Sequence, residues 1–178
     1  MKEVADGCFQ QLYGEIVRSM LEYQPSQTKD TNATPTVEEE AAHREAFIIK
    51  LEAMGYDVGS RFAERIARDR PRMVESLDVI KFVCKDFWIA IFKKQIDKLQ
   101  TNHRGVFVVQ DFHFRWLAGI SAATDEETRE KALVFLVFPC GIIRGALANL
   151  GLTAIVNADI PDVHALPGCL FNIKLKQG

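Results

Sequence analysis

A chain of 178 residues that is 48% hydrophobic and 26% charged can bury a sizeable core and is too apolar for wholesale disorder. Its formal charge of −2, with no basic cluster following a stacking aromatic series, removes the electrostatic case for nucleic acid. The four cysteines, Cys8, Cys84, Cys140 and Cys169, lack any CxxC spacing, which argues against a zinc knuckle or redox pair and fits reduced cytosolic thiols.

The opening MKEVADGC has no apolar signal core, and Lys2 stands where N-myristoylation requires glycine. No run reaches the ~18 apolar residues of a membrane span, so the sequence predicts a soluble intracellular protein. Residues 3–23 form the first predicted helix. Phe9, Leu12, Tyr13, Ile16, Val17, Met20 and Leu21 recur at helical spacing, with Glu15, Arg18 and Glu22 opposite. Residues 24–40 hold two prolines and no apolar period, and most of that stretch, 24–37, reads as a mobile linker.

A second helix is expected from Thr36 or Val37, with Glu38, Glu39 and Glu40 in its first turn and Gly55 just past its end. A third covers 58–67, and Pro71 stops it. The stretch from Val79 to Leu99 reads as one long helix. Its apolar residues spread well beyond the ~100° stripe of a one-sided helix, which marks a buried spine. Thr101, Asn102, His103, Arg104 and Gly105 then read as its C-terminal cap, with a partner contact as the functional alternative.

Strands are predicted at 106–109 and 112–117 as a hairpin, at 133–138 (LVFLVF) as a strand covered on both faces, and at 153–158 and 169–175. The last alternates Cys169, Phe171, Ile173 and Leu175 with polar residues, so one face should be wet. Residues 121–131 read as an acidic surface loop or short helix, and Pro139 as the first turn of a helix ending at Gly151. Small residues Gly141, Gly145 and Ala148 on one side of that helix should admit a close neighbour, expected to be the sheet or the spine. Helices first and strands second give an α+β class: helices packed on a twisted, mostly antiparallel sheet of about four strands, in one domain over 1–178.

No phosphate-loop, dinucleotide, zincin or nucleophile-elbow motif is present. Cys84, amid Phe82, Val83 and Phe87, reads as a small buried hydrophobe. Cys140 at a helix start is the thiol with the better chemical case, alone or with His103. His43, His103, His113 and His164 are too dispersed to predict a metal site, and no cofactor is expected.

Two signatures carry a family resemblance: residues 98–111, KLQTNHRGVFVVQD, and residues 138–147, FPCGIIRGAL. With residues 51–59, LEAMGYDVG, and 81–88, KFVCKDFW, they resemble the sixth-subunit family of TRAPP, the transport protein particle. The resemblance runs from about residue 46 to 176. It implies a non-catalytic scaffold in a vesicle-tethering particle that is a guanine nucleotide exchange factor for Rab GTPases. The implied partners are other TRAPP subunits, especially the third small subunit, met through helical faces. It further implies a cytoplasmic protein, peripheral at the cis-Golgi and endoplasmic reticulum, and a homodimer as a stand-in when the chain is isolated. The third subunit's acyl-modified cysteine corresponds to about Arg70-Pro71, so lipidation there is not expected, though an apolar tunnel is compatible with the fold. The candidate interface comprises Phe9, Leu12, Tyr13, Ile16 and Met20 with Phe47, Leu51 and Met54. The alternative function is an apolar small-molecule or lipid-binding module of related fold.

Overall fold

A computed structural model describes residues 2–21, 37–102 and 104–176, with side chains for 7–19, 38–102 and 104–176. The chain divides into two compact units, residues 1–50 and 51–178. The first holds α1 (Lys2–Leu21) and the N-terminal part of α2 (Val37–Ala67), whose three glutamates sit in the first turn, where the helix dipole favours negative charge. The expected linker lies, up to residue 36, outside the described residues.

Helix α2 is one 31-residue element, so Gly55 does not end it and 58–67 is not a separate helix. Phe47, Leu51, Gly55, Gly59 and Ala63 are all buried, and their four-residue interval is that of a ridge along a helix. The glycines survive mid-helix because that ridge must shrink where another helix crosses it.

The second unit is built on a four-stranded antiparallel sheet in the order β1-β2-β4-β3, from β1 (Lys98–Thr101), β2 (Val106–Asp111), β3 (Ala154–Asp159) and β4 (Cys169–Leu175). Register places Leu99 opposite Val109, Val109 opposite Phe171, and Ile173 opposite both Phe107 and Val156. The buried members of these sets share one face, while Lys174, Ile155 and Asn157 on the other are exposed, as the alternation of β4 predicted.

The spine comprises α3 (Ser76–Phe82), a π-helical turn (Val83–Phe87) and α4 (Trp88–Phe92). Phe87 and Trp88 are fully enclosed, in keeping with its apolar girth. It ends earlier than expected, at Lys93 in the left-handed conformation (φ 62°). Residues 98–101 are therefore strand, and Asn102 and Gly105 belong to a hairpin connection instead of a helix cap. The Asn102 side chain accepts from the amides of Arg104 (2.8 Å) and Val106 (3.1 Å), and Gly105 takes φ 81°. His103 lies outside the described residues.

Residues 112–117 are not a strand. Asp97 accepts from the Phe112 amide (2.7 Å) and Asp111 from that of His113 (3.0 Å), which turns the chain into a short 3-10 helix at Arg115–Leu117. The run at 133–138 is likewise helical, within α5 (Asp125–Asn149), with Pro139 inside the helix. The acidic segment at 121–131 is largely the start of α5: Thr124 accepts from the Glu127 amide (3.2 Å), and Asp125, Glu126 and Glu127 fill the first turn. By length and composition α5 would pass for a membrane span, yet most of it is buried inside the protein, against β3 and against α2.

Candidate partner interface

On α1, Phe9, Leu12 and Ile16 are 41%, 62% and 37% exposed, while Tyr13 and Val17 are buried. At 100° per residue these five side chains span roughly 140°, wider than the ~100° stripe one apolar contact needs. The Tyr13 and Val17 side of that arc is covered and the Leu12 side is bare. Phe9 and Tyr13 stack with ring centroids 6.1 Å apart, which fixes the border between the two. Helix α2 leaves Ile49, Met54 and Phe62 exposed, of which Ile49 and Phe62 were not anticipated. Of the expected interface residues, Tyr13, Phe47 and Leu51 are buried, whereas Phe9, Leu12, Ile16 and Met54 are exposed. The Met20 side chain lies outside the described residues.

Within the second unit, α2 and α5 cross at two glycine pairs. A Cβ on Gly55 would overlap the Phe138 carbonyl oxygen, one on Gly59 that of Ile142, one on Gly141 that of Glu52, and one on Gly145 that of Tyr56. The small stripe of α5 thus receives α2, not the sheet or the spine. Beside the crossing, Arg144 Nε lies 2.7 Å from Glu52 Oε1 without the alignment of a hydrogen bond, and its guanidinium stands 5.0 Å over the Tyr56 ring. Asn149 adds a hydrogen bond to Ser60 (3.3 Å).

The three buried thiols are poorly placed for nucleophilic work. Cys140 sits in the middle of α5, not at its N-terminus, so no helix end activates it. Burial, with the nearby Glu52 charge, pushes it up to about 12. Cys84 is also pushed up to about 12 by burial, as its apolar surroundings implied, and Cys169 rises for the same reason. No group of three metal-ligating side chains occurs among the described residues.

Asp111, the one buried acid among the described residues, is held for structure. Its Oδ2 accepts from Trp88 Nε1 (3.3 Å), and its Oδ1 takes the Lys94 ammonium (2.5 Å), which also holds Asp97 (2.8 Å). Desolvation opposes charge on Lys94, but the bonds to Asp111 and Asp97 prevail and raise its pKa. Lys94 in turn lowers that of Asp97. This polar node ties the end of the spine to the hairpin, beneath an aromatic stack in which Trp88 meets Phe92 at 4.6 Å and Phe171 at 5.4 Å.

The described residues thus form an α+β fold, helices on one four-stranded antiparallel sheet. A solved structure, a trafficking protein particle complex subunit 3 from Naegleria fowleri covalently bound to palmitic acid, superposes with a TM-score of 0.72 at 16% identity. It covers 98% of this chain and 97% of its own, which places the architecture in the TRAPP small-subunit fold. The family description "Transport protein particle (TRAPP) component" matches residues 9–176. A trafficking protein particle complex subunit 6b of Danio rerio is 41% identical over 97% of this chain and 98% of its own length. The subunit 6B of Homo sapiens is 46% identical over 73% of this chain and 79% of its own. The chain belongs to the TRAPP component family, in its sixth-subunit branch.

Proposed function

We propose that this protein is a non-catalytic scaffold subunit of the TRAPP particle, pairing with the third small subunit through its helical face. The observation that carries the reading is the uncovered side of α1, where Phe9, Leu12 and Ile16 face solvent along one stripe. Covering the part of each side chain still in water, roughly half of it, contributes about 1 kcal/mol apiece. Met54 of α2 is offered as a further contact, and Met20 by its helical spacing. Through that pairing the chain stabilises a particle that tethers vesicles and exchanges nucleotide on a Rab GTPase. It does so in the cytoplasm, peripheral to cis-Golgi and endoplasmic reticulum membranes. Without its partner, two copies should bring their α1 stripes together.

Co-purification with the third small subunit, followed by light scattering, tests this. A one-to-one heterodimer is expected. An isolated chain that stays monomeric and is not retained by the third subunit removes the pairing reading.

A further inference from the structure

The sheet ends at β1, and no strand among the described residues covers its outer side. The Asn102 amide donates to the Val106 carbonyl (3.1 Å), and the register pairs Gln100 with Val108 and Lys98 with Gln110. Bonded and non-bonded pairs alternate along an antiparallel ladder, so the N–H and C=O of Leu99 point away from β2. Asp97 also donates to the Gln110 carbonyl (3.0 Å), a bulge that closes one end of this edge.

Beside Leu99 opens a groove of about 330 Å³, lined by Lys81, Cys84 and Lys85 of the spine with Gln95, Ile96 and Leu99. Cys84 makes a buried apolar floor, and Lys81 and Lys85 stand exposed one helical turn apart on the rim. No carboxylate among the described residues lines it. Of the neighbouring acids, Asp86 lies 2.8 Å from Arg70 and Asp97 2.8 Å from Lys94, while Asp78 forms a long, exposed pair with Lys81 itself (3.9 Å), weak enough for an incoming carboxylate to replace.

We propose that the β1 edge receives an extended acidic segment of another protein as a fifth strand. One apolar side chain of that segment fills the groove beside Leu99, and same-face carboxylates meet Lys81 and Lys85. The Leu99 backbone bonds favour a peptide, since a fatty acid would satisfy the lysines and floor but leave those groups to water. A second copy is disfavoured because its own β1, Lys-Leu-Gln-Thr, brings a cation and no anion to the lysine rim. The edge is short, so backbone bonds alone bind weakly and the groove sets the specificity. This surface shares no residue with the α1 stripe, so either can fail without the other.

The probe is a fluorescein-labelled heptapeptide, Ser-Glu-Thr-Leu-Thr-Glu-Ser, titrated by anisotropy into the full chain at low salt. Saturable binding is expected, at least tenfold weaker when the leucine is moved one position. It should be at least tenfold weaker also for K81E/K85E, two exposed changes whose fold is checked by circular dichroism. Hydrogen exchange at the Leu99 amide should slow on binding. Absence of binding up to millimolar peptide, indifference to leucine position or to charge reversal, or unchanged Leu99 exchange would each overturn the proposal. So would laurate displacing the peptide without protecting Leu99, or a light-scattering dimer that K81E/K85E dissolves. Capture of the third small subunit by K81E/K85E should be unchanged, which separates this surface from the α1 pairing.

Discussion

Gly59 of α2 lies so close to Ile142 of α5 that a single added methyl group would overlap the Ile142 carbonyl oxygen. The reciprocal holds for Gly145 of α5 and the Tyr56 carbonyl. Backbone cannot rotate aside as a long side chain can, so the helices must separate to admit either methyl group. G59A or G145A should therefore cost about 1–3 kcal/mol by overpacking, outweighing the ~1 kcal/mol that alanine gains in helix propensity. G14A is the internal control: a Cβ there meets nothing within 4 Å, so the same change should add about 0.5–1 kcal/mol. Urea unfolding midpoints of the three variants check the opposite signs.

Leu12, at 62% exposure, is the best-placed probe of the α1 stripe. L12D should leave the thermal midpoint of the isolated chain within about a degree, since exposed substitutions change stability by only ~0.5 kcal/mol. The same change should weaken capture of the third small subunit at least ~10-fold, because a buried unpaired carboxylate is costly at an interface centre. Y13D, at a buried position, should instead lower the midpoint of the chain by itself. Pull-down and scanning calorimetry on both variants distinguish interface from core.

Lys94 holds two carboxylates, of which Asp111 has no exposure. K94M strands Asp111 without a counter-ion and should cost about 3–5 kcal/mol, read from chemical denaturation at neutral pH.

The pH dependence follows from the same node. Asp97 has a lowered folded pKa, so its contribution is fully present above the unfolded carboxyl value of 3.8 and is lost as pH falls through the lower folded value. Lys94 has a raised folded pKa, so its contribution is complete below 10.5 and fades only as pH rises through the higher folded value. D97N should flatten the acid limb of a stability–pH curve below about pH 4 while leaving the slope near neutrality unchanged. Unfolding series from pH 7 to pH 3 on both proteins provide the comparison.

Cys8 is exposed, whereas Cys84 and Cys140 are buried with thiols pushed up to about 12. At neutral pH iodoacetamide should label Cys8 alone on a timescale of minutes, with Cys84 and Cys140 slower by about three orders of magnitude. Peptide mass spectrometry at timed quenches reads this directly. Rapid labelling of Cys140 would reopen the case for thiol chemistry.

Local pattern made much of this architecture legible. The apolar excess of the spine, the alternation of β4 and the acidic start of α2 are consequences of side-chain periodicity and helix electrostatics. They needed no coordinates. One available signal was passed over: Thr124 to Glu127 reads T-x-x-E ahead of an apolar run, a capping box that announces α5. The run at 133–138 looked like strand because a helix covered on nearly every side has no polar face to reveal its period.

What the chain fixed by itself was the α+β class, the extent of the core-forming segments and the residue patterns that mark its family. Tertiary contact decided the rest. Lys98–Thr101 is strand because β2, pinned to β4, offers it a ladder, and nothing in those four residues outbids a helix alone. Gly55 and Gly59 stay helical because α5 covers them, where an isolated sequence would stop. Which half of the α1 apolar arc stays wet also depends on what lies against it. Periodicity records that a residue is greasy, but only packing records who, if anyone, covers it.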